Sequence, residues 1–92
     1  MANTEMNYVE DVKVAYETNT ISTATTNYYP TINGNQISVN DYTIIGAEAN
    51  GAACIPYVTA TGEYRIFFIT WQSGNIVSAS VSGDVTIAYI SK

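Results

Sequence analysis

The acidic side chains are the first candidates for chemistry, because paired carboxylates can act as a general acid and a general base. The closest pairs are Glu10 with Asp11 and Asp41 with Glu48. Neighbouring residues of a strand point to opposite faces, so Glu10 and Asp11 cannot share a substrate. Glycoside hydrolysis needs two carboxyl groups that converge about 5–10 Å apart in a cleft, and no cleft is indicated here. We therefore expect solvated surface carboxylates and assign no catalytic residues.

Metal binding and thiol chemistry also find little support. The chain has no His, and the turns at Asn40-Asp41 and Gly83-Asp84 match no calcium-loop spacing. We interpret both as turns in which Asp or Asn bonds its own backbone. Cys54 is the single cysteine, so it has no intrachain disulfide partner, and we expect a buried, inert thiol. The sequence predicts no enzyme, no metal site and no cofactor.

The aromatic residues are better candidates, since Tyr and Trp stack on sugar rings and are enriched at protein interfaces. Tyr28 and Tyr29 precede Pro30 in a predicted connection, so we expect them to be exposed recognition residues. Tyr57 is a further candidate for contact with a ligand or a partner. Core packing is the alternative role for each of these side chains.

Residues 63–72 form the strongest predicted strand, and both of its faces are apolar. The alternate positions are Tyr64, Ile66 and Phe68 on one face and Phe67, Ile69 and Trp71 on the other. A strand with two apolar faces is central, or commits one face to another subunit. We therefore predict an oligomer interface at Phe67, Ile69 and Trp71.

The composition predicts the fold class. The 92-residue chain has no Leu, whereas Val, Ile and Thr make 31 residues and Tyr adds 8. Branched and aromatic residues favour strands, and Leu is a strong helix former. Turn signals also recur at short intervals. We predict an all-β chain in which residues 1–92 form a single β-sandwich domain of Greek-key or jelly-roll type, with about eight strands.

Alternation and turn residues place the individual strands. Residues 6–16 are the first, with Val12, Val14 and Tyr16 on one face, and residues 20–26 form a separate polar strand at a sheet edge. Gly83-Asp84 is a predicted turn between strands. From the middle of the chain onward the predicted strands form a meander of residues 53–60, 63–72, 76–82 and 85–91.

Charge limits the range of partners. The net charge is −5, and the only cations are Lys13, Arg65 and Lys92, far apart in sequence. Binding to a phosphate backbone or to an anionic membrane needs clustered cations, so we expect neither nucleic acid nor membrane as a partner. The first residues lack the basic and apolar regions of a signal peptide, which predicts synthesis in a host cytoplasm.

The second half of the chain carries a set of short motifs. They are Ile-Pro-Tyr-Val at 55–58, Thr-Gly-Glu-Tyr at 61–64, Ser-Gly-Asn at 73–75 and Val-Ser-Gly-Asp-Val-Thr-Ile at 81–87. Together with the apolar strand between them, these motifs resemble the tip domains of bacteriophage tail fibres and baseplate receptor-binding proteins. The resemblance implies a small β-sandwich head, usually trimeric, with sugar or host-protein sites in surface loops.

These observations lead to two functional hypotheses. The first is a non-catalytic phage virion structural or receptor-binding module. It self-associates, as a trimer first and a dimer second, and binds a host-surface saccharide or another virion protein. The second is a free-standing carbohydrate-binding or adhesive β-sandwich domain. Oligomeric state discriminates between them, since most modules of the second kind are monomers.

Overall fold

β-Branched residues and tyrosines form nine strands, and no helix, in the computed structural model, which describes residues 13–92. The strands are β1 (Ala15–Thr25), β2 (Asn27–Tyr28), β3 (Thr31–Ile32), β4 (Asn35–Gln36), β5 (Tyr42–Ala49), β6 (Ala53–Val58), β7 (Tyr64–Gln72), β8 (Asn75–Ser78) and β9 (Val81–Ser91). The described residues include no helix that could cross a membrane. The predicted all-β fold class is confirmed.

The strands form two antiparallel sheets and a small hairpin. Sheet 1 has the order β1-β9-β5. In sheet 2, β7 is central, with β6 along one side and β2 and β8 along the other. Strands β3 and β4 pair with each other. The chain passes between the two sheets four times: after β1, after β2 by way of the β3–β4 hairpin, after β5 and after β8. Such crossings are expected for a sandwich whose strands alternate between sheets.

The core lies between the two sheets and contains aliphatic and aromatic side chains from both. Its buried members are Ile32, Ile37, Ile44, Ile66, Phe68, Val81, Val85 and Ile87. Burial of one such side chain stabilises the fold by about 1.5–3 kcal/mol relative to leaving it in water. Within the described residues, none of the buried residues is polar or charged.

Strand β7 shows the predicted alternation. Ile66 and Phe68 are fully buried on the inner face. Phe67 and Ile69 are only partly buried, and Trp71 is exposed, so these three residues form the outer face. The prediction that residues 63–72 contain a central strand is confirmed, because β7 has partners on both sides.

Three local predictions are wrong. The predicted meander of residues 53–91 ends at β8, because β9 belongs to sheet 1, where it pairs with β1 and β5. Separate strands were expected at residues 6–16 and 20–26, but β1 runs continuously from Ala15 to Thr25. Residues 6–12 of the first expected strand lie outside the described part of the chain. The expected turn at Gly83-Asp84 lies inside β9. Gly83 has φ of +90°, and it pairs with Ile21 next to a register shift in β1. A glycine with positive φ therefore serves a strand irregularity here rather than a hairpin turn.

Candidate functional site

The outer surface of sheet 2, which we call the β7 face, is largely apolar, with Asn27 beside Phe67 and Ser78 beside Ile69 as polar members. Its main side chains are Ala53, Ile55, Tyr57, Phe67, Ile69, Trp71 and Ile76. The strand register brings them together, because Phe67 pairs with Ile55 and Trp71 pairs with Ile76. Trp71 is 69% exposed and Ile76 is 63% exposed. The structure therefore places the predicted interface residues in one patch.

A shallow groove of about 410 Å³ marks the end of the β7 face that contains Trp71. It is lined by Gly51, Ala52, Ala53, Ile69, Thr70, Trp71 and Ile76. Small residues form one wall and the indole and isoleucine side chains form the other. An apolar side chain of a partner could occupy this space.

The opposite end of the β7 face is built around Arg65. Its guanidinium carbon lies 4.4 Å from the centre of the Tyr29 ring, which is a cation–π contact. The Nη2 atom of Arg65 donates a hydrogen bond to the Asn27 side-chain oxygen. Tyr57 is the cross-strand partner of Arg65. Two of the predicted recognition residues, Tyr29 and Tyr57, therefore lie exposed beside the same cation.

Tyr28 lies on the other face of sheet 2 and packs toward the core. Its ring stacks on Phe68 with the ring centres 5.8 Å apart. Its hydroxyl donates a 3.0 Å hydrogen bond to the side-chain oxygen of Asn19. Burial, together with the nearby Cys54, raises the pKa of Tyr28 well above its ordinary value. The expectation that Tyr28 is exposed is therefore wrong: strand alternation turns its ring toward the core, away from the side of Tyr29 and Tyr57.

Cys54 is partly buried and pairs with Phe68 across the two strands. Burial raises the pKa of its thiol, and the negative charge of Glu48 raises it further. A raised pKa keeps the sulfur protonated at neutral pH, and the protonated thiol is a poor nucleophile.

Of the two carboxylate pairs weighed in the sequence, only Asp41 and Glu48 belong to the described residues. Glu10 and Asp11 lie outside the described residues. Glu48 lies within β5, while Asp41 precedes that strand, and both are exposed. Over residues 13–92, no three His, Cys, Asp or Glu side chains are grouped so that they could hold a metal ion.

The outer surface of sheet 1 carries a second groove, which sequence reasoning missed. We call it the Tyr16 groove; its first part, of about 240 Å³, is lined by Tyr16, Gly46, Ala47, Glu48, Thr86 and Ala88. A more polar hollow of about 400 Å³ continues from it and is lined by Glu48, Ala49, Asn50, Asp84 and Thr86. Its signal in the sequence is the alternation of Tyr16, Thr18 and Thr20 along β1, whereas the predicted first strand places Tyr16 on one face with Val12 and Val14.

The comparisons with known proteins leave the geometry as the basis for function. The chain matches no protein-family model, no curated protein and no solved structure.

Proposed function

We propose that this chain is a non-catalytic virion structural or receptor-binding module that self-associates through the β7 face. The observation that carries the proposal is the largely apolar outer surface of sheet 2. Large exposed apolar patches mark association sites, because leaving them in water is unfavourable. The resemblance of residues 54–91 to phage tip domains supports the virion assignment.

The charge distribution favours a second copy of the same chain as the occupant. Arg65 is the only charged residue in strands β2, β6, β7 and β8, and its charge is already engaged by Tyr29 and Asn27. The acidic residues of the strands, Glu17, Glu48 and Asp84, all belong to sheet 1. Two β7 faces can therefore meet without bringing carboxylates together, although the chain carries a net charge of −5.

Two symmetries of contact between β7 faces are considered, and each gives a different number of subunits. Direct packing of one β7 face on another gives a two-fold dimer, in which the same patch serves both subunits. Packing around a three-fold axis gives the trimer that the phage resemblance implies. We keep the trimer as the first expectation and the dimer as the second.

The test is the sedimentation of the full chain at micromolar concentration. We expect a species of two or three times the 10.0 kDa mass of one chain. Because the interface is apolar, high salt should not dissociate it. A single 10.0 kDa species would contradict self-association and would favour the monomeric carbohydrate-binding alternative.

A matched pair of substitutions locates the interface. Ile76→Thr alters the β7 face, whereas Ile45→Thr makes the same change at an isoleucine of sheet 1 that is 51% exposed. Thr suits a strand as well as Ile does, so both variants should fold. We expect Ile76→Thr and Trp71→Thr to shift the sedimentation toward single chains and Ile45→Thr to leave it unchanged. Equal behaviour of the two isoleucine variants would mean that the β7 face is not the interface.

A further inference from the structure

We propose that the Tyr16 groove on sheet 1 binds a neutral oligosaccharide. This groove and the β7 face belong to different sheets, so the inference does not depend on self-association. Three features carry it: an exposed aromatic ring at one end, a floor of small residues, and a row of carboxylates and hydroxyls at the other end.

The aromatic end is Tyr16, which is 69% exposed. Its neighbour across the strands is Ala88, and Ala88 in turn pairs with Gly46. Both neighbours are small, and a Cβ atom added at Gly46 would meet no heavy atom within 4 Å. The ring therefore stands beside an open floor. Such an arrangement suits the apolar C–H face of a pyranose, which packs against an aromatic ring while its hydroxyls point along the sheet.

The polar end supplies hydrogen-bond acceptors in two successive rows of side chains. Thr18, Thr86 and Glu48 occupy the first row, and Thr20 and Asp84 occupy the next. The Oγ1 atom of Thr20 donates a 2.7 Å hydrogen bond to Oδ1 of Asp84, which orients that carboxylate.

The hydroxyls of the first row also contact each other, since Oγ1 of Thr18 and Oγ1 of Thr86 are 3.1 Å apart. Hydrogen bonds from sugar hydroxyls to carboxylates are charge-assisted and stronger than neutral ones. The threonine hydroxyls in the same rows as the carboxylates can both donate and accept, as can the hydroxyls of a sugar.

The length of the site favours an oligosaccharide over a single sugar. Tyr16 and Thr20 are four residues apart on one strand, which corresponds to about 14 Å along β1. The two hollows share Glu48 and Thr86 and so form one track from the ring to Asp84. A chain of linked sugars can contact the ring with one unit and the carboxylates with the next.

The charges select a neutral ligand. Strands β1, β5 and β9 contain no Lys or Arg, while Glu48 and Asp84 lie on the groove. Acidic sugars would therefore be repelled. A cationic peptide is the competing class, but each carboxylate shares its row with threonine hydroxyls, Glu48 with Thr86 and Asp84 with Thr20. An ammonium group only donates hydrogen bonds, so it would leave the donor capacity of the threonine hydroxyls unused. Sugar hydroxyls can donate to the carboxylates and can also accept from the threonine hydroxyls.

The test is an NMR titration of the isotope-labelled full chain with cellotetraose, maltotetraose and chitotetraose, and with trilysine as the cationic probe. We expect at least one neutral sugar to shift the amide signals of Tyr16, Glu48, Asp84 and Thr86. Tyr16→Thr should weaken this binding about tenfold or more, while Tyr16→Phe, which keeps the ring, should retain it. Asp84→Asn should also weaken it, and the matched control Asp41→Asn, at an exposed carboxylate outside the groove, should not.

Three outcomes would overturn the proposal. One is the absence of shifts with all three sugars at about 10 mM. Another is a set of shifts on the β7 face instead of the groove. The third is binding of trilysine without binding of any sugar. Sedimentation of the same samples reports self-association separately, so a failure of this site and a failure of the proposed function are distinguishable.

Discussion

The hydroxyl of Tyr28 donates a 3.0 Å hydrogen bond to the side-chain oxygen of Asn19, and this bond joins strand β2 of sheet 2 to strand β1 of sheet 1. The same Asn19 oxygen accepts a 3.1 Å hydrogen bond from the backbone N–H of Thr31. The Asn19 side-chain nitrogen donates to the Thr31 carbonyl oxygen at 3.0 Å. One half-buried amide therefore connects three segments of the chain.

Loss of the Asn19 side chain should destabilise the fold more than loss of the Tyr28 hydroxyl. Asn19→Ala leaves the Tyr28 hydroxyl and both backbone groups of Thr31 without partners, so we expect a loss of about 2–3 kcal/mol in the free energy of unfolding. Tyr28→Phe removes one hydrogen bond and keeps the stacking on Phe68, which should cost about 1 kcal/mol.

Urea denaturation at one fixed protein concentration measures both losses. Asn35→Ala is the control, because Asn35 is exposed and its side chain makes only a 3.5 Å contact with a neighbouring backbone oxygen. Equal effects of Asn19→Ala and Asn35→Ala would show that the amide network contributes nothing to stability.

Stability should fall in alkaline solution. Burial, followed by the neighbouring Cys54, raises the pKa of Tyr28 in the folded chain, and burial, followed by Glu48, raises that of Cys54. The folded state then holds protons that the unfolded state releases. The contribution of these two protonated groups to the free energy of unfolding is fully present below their ordinary pKa values, 9.0 for Cys and 10.0 for Tyr. It is lost as the pH rises from those values through the raised pKa values of the folded chain.

Urea midpoints between neutral pH and pH values above the ordinary Tyr pKa would show this loss. Tyr28→Phe and Cys54→Ala should each flatten the alkaline part of the curve, because each removes one titrating group. Other groups titrate in the same range, so the comparison is between each variant and the parent chain. A variant curve parallel to the parent curve would contradict the assignment for that residue.

The two glycines inside strands of sheet 1 should respond oppositely to alanine. Neither Gly46 nor Gly83 would bring an added Cβ within 4 Å of another heavy atom, but Gly83 has φ of +90° and Gly46 does not have positive φ. Gly83→Ala should therefore destabilise by about 1–3 kcal/mol through backbone strain. Gly46→Ala should be neutral or stabilise by up to about 1 kcal/mol, since it lowers the entropy of the unfolded chain. Thermal unfolding of the pair decides this, and a similar loss in both would show that φ is not the cause.

The contact between Arg65 and Tyr29 should depend on the planar guanidinium. Arg65→Lys keeps the charge but loses both the flat stacking over the ring and the geometry of the bond to Asn27, so we expect a loss of about 1 kcal/mol. Tyr29→Leu should lose a similar amount. A double-mutant cycle measures the coupling, and exactly additive losses would contradict the cation–π contact.

Local sequence patterns were sufficient to predict the central strand and its two faces. The alternation of Ile66 and Phe68 with Phe67 and Ile69 is a property of consecutive residues, and burial follows it directly. The extent of β1 could not be predicted in this way. The polar residues Glu17, Thr18 and Asn19 interrupt its apolar alternation. The strand is nevertheless continuous because it pairs with β9, a partner 68 residues away at Thr18 and Thr86.

Local sequence patterns also could not predict the role of a side chain whose partner is distant in the sequence. Tyr28 and Tyr29 are adjacent and looked equivalent, yet strand geometry sends one toward Phe68 and the other toward Arg65. Asn19 carried no signal at all, because asparagine in a polar stretch usually indicates a turn. The Tyr16 groove is formed by three strands that lie far apart in sequence, so its floor appears only when β5 and β9 are placed beside β1.

The position of β9 between β1 and β5 has a consequence for how the chain acquires its structure. Strand β1 pairs with no strand of sheet 1 other than β9, and the same holds for β5, so within the described residues sheet 1 has no ladder until β9 has been synthesised. Closing the long loops between β1 and β9 and between β5 and β9 costs conformational entropy before any pairing energy is gained. We therefore expect folding in the millisecond-to-second range that is typical of all-β topologies. During synthesis β1 therefore stays unpaired until β9 is made, and because Tyr16 and Ile21 are its only large apolar side chains, aggregation during that delay is limited.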